Sequence, residues 1–138
     1  MKKMFAALFA AVVMASGLVV ATGSTASAQC SPSQYSGCVI TKTRVKGPGV
    51  AVTGKKITVC AVVKASGLTP NGTVTFNVKR NRGGYSFTKT KRLSGGQACV
   101  KTSKLGRPGG YTTTAKYKSP TPSVFLNSQN NKGFDVVR

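Results

Sequence analysis

From Val39 onward, turn signals interrupt this chain about every ten residues. Gly47-Pro48-Gly49, Pro70-Asn71-Gly72, Gly83-Gly84, Gly95-Gly96 and Pro108-Gly109-Gly110 leave only short segments between them. A buried helix needs about ten to twelve uninterrupted residues for its period to show, and no helical period is present. The segments alternate apolar and polar residues at period two instead, which marks strands with one buried face.

Seven such segments follow one another. Residues 39–46 set Thr41, Thr43 and Val45 against Lys42, Arg44 and Lys46; residues 55–64 set Ile57, Val59, Ala61 and Val63 against Thr58, Cys60, Val62 and Lys64. Residues 73–80 turn Val74, Phe76 and Val78 to one side, and in 85–93 Tyr85 and Phe87 alternate with polar neighbours. Residues 97–103 offer Ala98 and Val100, residues 111–118 offer Tyr111, Thr113, Ala115 and Tyr117, and residues 133–138 offer Phe134 and Val136. Seven short strands with closely spaced turns describe an all-β, seven-stranded antiparallel sandwich, with a closed barrel as the alternative.

The first 28 residues read differently. Lys2 and Lys3 precede an uncharged run, and Ala26-Ser27-Ala28 supplies the small residues of a cleavage site. This is the layout of a secretory signal peptide, and no basic stop-transfer cluster follows it. Removal of residues 1–28 leaves about 110 of the 138 residues, enough for one domain with its own core and without a transmembrane span. The expected division is a short N-terminal segment, 29–44, followed by the sandwich, 45–138. The expected location is extracellular, with association to a cell wall.

Charge excludes more than it assigns. The chain carries 21 Lys and Arg against one acidic residue, Asp135, and has no histidine, for a formal charge of +20. A single carboxylate cannot form the pair that glycoside hydrolysis uses. Without imidazole the common nucleophilic triads are unavailable, and no Ser–Lys pair stands out from the rest. The expectation is a protein without catalytic residues, cofactor or bound metal.

Three elements resemble a known family. Gly72-Thr73-Val74-Thr75-Phe76 after Pro70, then Gly96-Gln97-Ala98, then Gly110-Tyr111 continuing to Ala115-Lys116-Tyr117 are similar in order and spacing to the bacterial Ig-like repeat of surface and secreted proteins. The resemblance spans roughly residues 45–138 and implies an Ig-like sandwich. Thr113 stands where that family usually has valine, and Ser119-Pro120-Thr121-Pro122 replaces its acidic loop, which argues against calcium binding. The same stretch contains Asn71-Gly72-Thr73, a glycosylation pattern that a tight turn explains better.

In that fold the strands bearing Cys60 and Cys99 are neighbours in one sheet, and both cysteines fall on the polar face. A surface cross-strand disulfide is therefore expected, with Cys30 and Cys38 closing a small N-terminal loop; two other pairings of the four cysteines stay open. The loop-entropy estimate gives about 4 kcal/mol for the long bridge and about 2.5 for the short one. Zinc is the competing use, but the spacing shows no CxxC pair and no histidine is available.

The basic residues carry the functional expectation. Lys42, Arg44 and Lys46 repeat at period two, as do Lys89 with Lys91 and Lys116 with Lys118. Strand lysines discourage edge-to-edge pairing, but that role does not explain the lack of acidic residues among them. The excess points to an anionic cell-wall or other extracellular polymer. Arg80, Arg82, Lys89, Lys91 and Arg92 around the Gly83-Gly84 hairpin form the densest cluster in sequence and the expected contact patch. No recognition helix is available for sequence-specific nucleic-acid reading, and Tyr85 and Phe87 read as core rather than stacking platforms. The alternatives are a protein-binding adhesin or inhibitor module and, last, a cationic antimicrobial protein.

Overall fold

The computed structural model describes residues 37–138. The expected signal peptide, residues 1–28, and the Cys30 side of the expected N-terminal loop lie outside these residues. Eight strands form two sheets: β1 (Thr41–Lys46), β2 (Val50–Val52), β3 (Thr58–Ala65), β4 (Thr73–Arg80), β5 (Ser86–Arg92), β6 (Gln97–Lys101), β7 (Gly109–Lys118) and β8 (Ser128–Val137). One sheet has the order β1-β3-β6, the other β2-β8-β7-β4-β5. This is a sandwich and not a barrel.

The core lies between the sheets and is built from the inward half of each alternation. Val59, Ala61 and Val63 of β3 and Ala98 and Val100 of β6 face Val74, Phe76 and Val78 of β4, Tyr111, Ala115 and Tyr117 of β7, and Phe134 and Val136 of β8. Tyr111 stacks on Phe134 with ring centroids 5.4 Å apart and meets the edge of Tyr85 at 5.5 Å. Each such pair contributes about 0.5–1.5 kcal/mol beyond area burial. Tyr85 and Phe87 are half-buried against this core, as their alternation implies.

The strand order is that of an immunoglobulin domain. β1, β3 and β6 stand as the first, second and fifth strands of one sheet; β4, β7 and β8 form the opposing sheet, extended by β5 as in variable-type domains. Tyr111, at the start of β7, donates its hydroxyl to the Arg107 carbonyl at 2.7 Å, which is the tyrosine corner of that fold. The fold is Ig-like on these grounds.

Three details correct the sequence reading. The described residues form eight strands, not seven, and the sandwich is not wholly antiparallel: β2 pairs in parallel with β8, Val50 opposite Asp135 and Val52 opposite Val137. Three residues are too few for alternation to register, and the partner lies at the far end of the chain. Gly47-Pro48-Gly49 breaks the first strand so that β1 joins one sheet and β2 the other, a way for one strand to serve both layers. The domain also begins before residue 45, since β1 pairs along its whole length with β3, Thr41 opposite Ala65 through Lys46 opposite Cys60.

The third correction concerns β8, which starts at Ser128 and not at 133. Its first half carries no apolar alternation because it faces β1 rather than the core. Ser128 Oγ lies 2.7 Å from both Thr41 Oγ1 and Thr43 Oγ1, and Lys132 Nζ donates to the Gly47 carbonyl at 2.7 Å. The side of the sandwich between β1 and β8 is thus closed by hydroxyls and one ammonium. Thr41 and Thr43 are buried there, and their hydroxyls are satisfied by Ser128 and, for Thr41, by the Leu126 carbonyl as well.

Candidate functional site

Pleating decides where the basic side chains point, because cross-strand partners in an antiparallel pair share a face. The five residues singled out around the hairpin do not share one. Arg80 is half-buried, and its Nε and Nη2 both donate to the Pro108 carbonyl, at 3.3 and 3.0 Å. It fastens the loop before β7 to the end of β4. Arg82 sits exposed in the turn between β4 and β5.

Lys89 and Lys91 lie opposite Phe76 and Val74, both fully buried, so they leave β5 on its inner side. They remain exposed because β5 is the edge of its sheet. Inward-pointing charge on an edge strand opposes pairing with another chain. Arg92 lies opposite Thr73 on the outer side, in line with Thr88 and Thr90, whose hydroxyls bond Asn77 and Thr75. One turn of sequence therefore sends its charges in three directions.

The outer face of β1-β3-β6 does the opposite. Lys42, Arg44 and Lys46 leave β1 on one side, all exposed, and Lys64 stands directly opposite Lys42. Arg44 lies opposite the half-buried Val62. The stems of these four bases and Val62 line a shallow depression of about 290 Å³. Lys101 of β6, opposite Thr58, adds a fifth cation to the face. Like charges directly across a strand pair are destabilising, yet here no carboxylate is interleaved among them. The one acidic side chain, Asp135, is exposed on the other sheet, opposite Gly110. No ion pair forms among the described residues.

The same face carries the disulfide. Cys60 and Cys99 are register partners on β3 and β6 with Cα atoms 4.0 Å apart, and both are half-buried. Lys46 is the β1 partner of Cys60, and Gln97 Nε2 approaches Cys99 Sγ at 3.3 Å. The sequence-based pairing of these two cysteines is the observed one, and neither sulfur is left as a metal ligand. Cys38 is also disulfide-bonded; the Cys30 half of the proposed loop lies outside the described residues.

A second depression, about 520 Å³, opens at the end of the sandwich between the turn at Asn71 and the segment after β7, with Arg92 and Lys118 beside it. Gly72 makes that approach close. A Cβ there would come within 2.5 Å of the Lys118 carbonyl, and its φ is +117°. The glycine of the Pro-x-Gly-x-Val element is thus required by packing as well as by backbone conformation. Tyr117 donates its hydroxyl to the Asn71 carbonyl at 2.7 Å in the same region, and burial raises its pKa above the ordinary tyrosine value.

No family model matches the chain, and no curated protein does. Among solved structures it is similar to a CARDB domain from Pyrococcus furiosus, at 17% identity and a TM-score of 0.46, covering 72% of this chain and 94% of that one. It is also similar to murine CRIg, at 10% identity and a TM-score of 0.39, covering 69% and 96%. Likenesses this distant add nothing to what the strand order and the tyrosine corner already establish.

Proposed function

We propose that this chain is an exported, non-catalytic Ig-like module, of the bacterial Ig-like repeat kind, that attaches to anionic polymers outside the cell chiefly through charge. The observation that carries the reading is the outer face of β1-β3-β6, where Lys42, Arg44, Lys46, Lys64 and Lys101 stand exposed with no acidic side chain among them. Such a face concentrates field toward an external polyanion and is destabilising without one. Lys116 and Lys118 extend the same sign onto the outer side of the other sheet.

Two further features support export. Residues 1–28 have the layout of a secretory signal, and the half-exposed Cys60–Cys99 bridge suits an oxidising compartment. The family assignment draws on motif residues with definite roles: Gly72 in its crowded turn and Tyr111 in its corner.

The direct experiment measures binding of the purified protein to cell-wall polymers, heparin, DNA and anionic vesicles at two ionic strengths. The reading expects retention by several polyanions at low salt and a steep loss at high salt. A protein partner captured equally well at high salt, with no polyanion bound at low salt, would favour a shape-based adhesin or inhibitor instead.

A further inference from the structure

The β1 bases are not only dense but periodic. Side chains at i and i+2 on one strand face are separated by six backbone bonds and stand about 7 Å apart in extended chain. Lys42, Arg44 and Lys46 are three successive positions of that kind, all exposed on the outer face. In a phosphodiester polymer whose phosphates are joined through three carbons, the path from phosphorus to phosphorus is also six bonds: P–O, O–C, two C–C, C–O and O–P. Extended, its charges repeat at about the same 7 Å. A five-carbon polyol spacer makes the path eight bonds, about 9 Å, and polyphosphate has two bonds, about 3 Å. Neither keeps register with the strand over three positions.

We propose, resting on the polyanion reading above, that the outer face of β1-β3 is a track for an extended poly(glycerol phosphate) chain, with Lys42, Arg44 and Lys46 each meeting one of three successive phosphates. Lys64, opposite Lys42, gives the first phosphate a second cation. Arg44, at the centre, supplies a planar fork suited to two phosphate oxygens. The depression between the stems, floored by Val62, receives the carbon spacer and its hydroxyl.

Single-stranded nucleic acid shares the six-bond repeat, and the face itself argues against it. Non-specific single-strand binders stack bases on aromatic rings. The residues of this face are Val62, a disulfide, Gln97, Thr58 and the five cations, with no aromatic side chain. A small aliphatic spacer fits such a surface and a purine does not.

The test compares two variants of the full chain that lose equal charge. One is Lys42→Gln/Arg44→Gln/Lys46→Gln; the other, on the hairpin, is Arg82→Gln/Lys89→Gln/Lys91→Gln. All six side chains are exposed, and melting temperatures no lower than that of the unmodified chain verify that both variants fold. The probes are poly(glycerol phosphate), poly(ribitol phosphate) of equal phosphate number and a single-stranded oligonucleotide. The track predicts that the β1 variant binds poly(glycerol phosphate) at least tenfold more weakly than the hairpin variant. It also predicts a plot of log affinity against log salt shallower by about 2, three contacts at about 0.7 each. The unmodified chain prefers poly(glycerol phosphate) over both other probes. Equal losses in the two variants, or no preference between the polyol phosphates, would overturn the track while leaving charge-driven attachment intact. Tighter binding of the oligonucleotide would overturn the choice of polymer. Failure of the unmodified chain to bind any probe would remove both readings.

Discussion

Tyr111 and Thr113 lie two residues apart on the inner face of β7, and their hydroxyls meet opposite fates: the first is bonded to the Arg107 carbonyl at 2.7 Å, the second has no hydrogen-bond partner among the described residues. Thr113 occupies the position two residues after the corner tyrosine, where antibody domains place the second cysteine of their core disulfide. Here the bridge between Cys60 and Cys99 lies on the sheet surface instead, and the core position holds a hydroxyl at 1% exposure.

An unpaired buried hydroxyl costs about 1–3 kcal/mol. Thr113→Val keeps the shape and removes that cost, so the variant should be more stable by about 1–2 kcal/mol. For a domain of this size the melting temperature should rise by about 4–8 °C per kcal/mol. Calorimetry of the two proteins decides it; an unchanged or lower melting temperature would show that the hydroxyl is satisfied.

Tyr111→Phe is the converse case. It removes a bonded hydroxyl and strips the Arg107 carbonyl of its partner, and should lower stability by about 1–3 kcal/mol in urea unfolding. Ring packing against Phe134 and Tyr85 is kept in the variant, which isolates the hydrogen bond.

Two glycines separate steric crowding from backbone conformation. Gly72 and Gly83 both have positive φ, +117° and +75°, but an added Cβ meets the Lys118 carbonyl at 2.5 Å in the first and nothing within 4 Å in the second. Gly83→Ala should cost about 1–2 kcal/mol, the penalty of a left-handed conformation alone. Gly72→Ala should cost clearly more, about 3 kcal/mol or above, because carbonyl, Pro120 and Tyr117 must also shift. Equal costs would mean that the turn at Asn71 is free to relax.

Much of this architecture was legible in the residues. The inner faces of β3, β4, β6 and β7 follow from alternation, since each strand is half-buried over its full length. The Cys60–Cys99 pairing was expected because both residues fall on the polar faces of strands that the Ig-like resemblance makes neighbours, and the register places them opposite each other. What stayed hidden depends on contacts distant in sequence. β2 is fixed only by β8, and the polar start of β8 only by the threonines of β1. The basic cluster was hidden for the same reason: Arg80 is withdrawn by the Pro108 carbonyl, while Lys64 is brought beside Lys42 by strand pairing. Density along the chain and density on a surface are different quantities.

Alkali should expose the buried Tyr117 hydroxyl. Its pKa is raised in the folded state, so the folded protein holds this proton to higher pH than the unfolded chain does. The associated stability is full below the ordinary tyrosine pKa of about 10 and is lost as pH rises through the higher folded value. Lysine deprotonation also acts in this range, so the measurement is the difference between the natural protein and Tyr117→Phe. That difference should shrink from neutral pH toward pH 11; a constant difference would contradict the shift.

Cationic attachment is measured most directly by the affinity of the purified protein for poly(glycerol phosphate) across a salt series. Release of counterions from about three to five engaged phosphates gives a slope of log affinity against log salt of about −2 to −3.5. A slope in that range, accompanied by a rise in melting temperature when polymer is added at low salt, is the predicted result. Affinity that does not change with salt, or no binding at the lowest salt used, would contradict it.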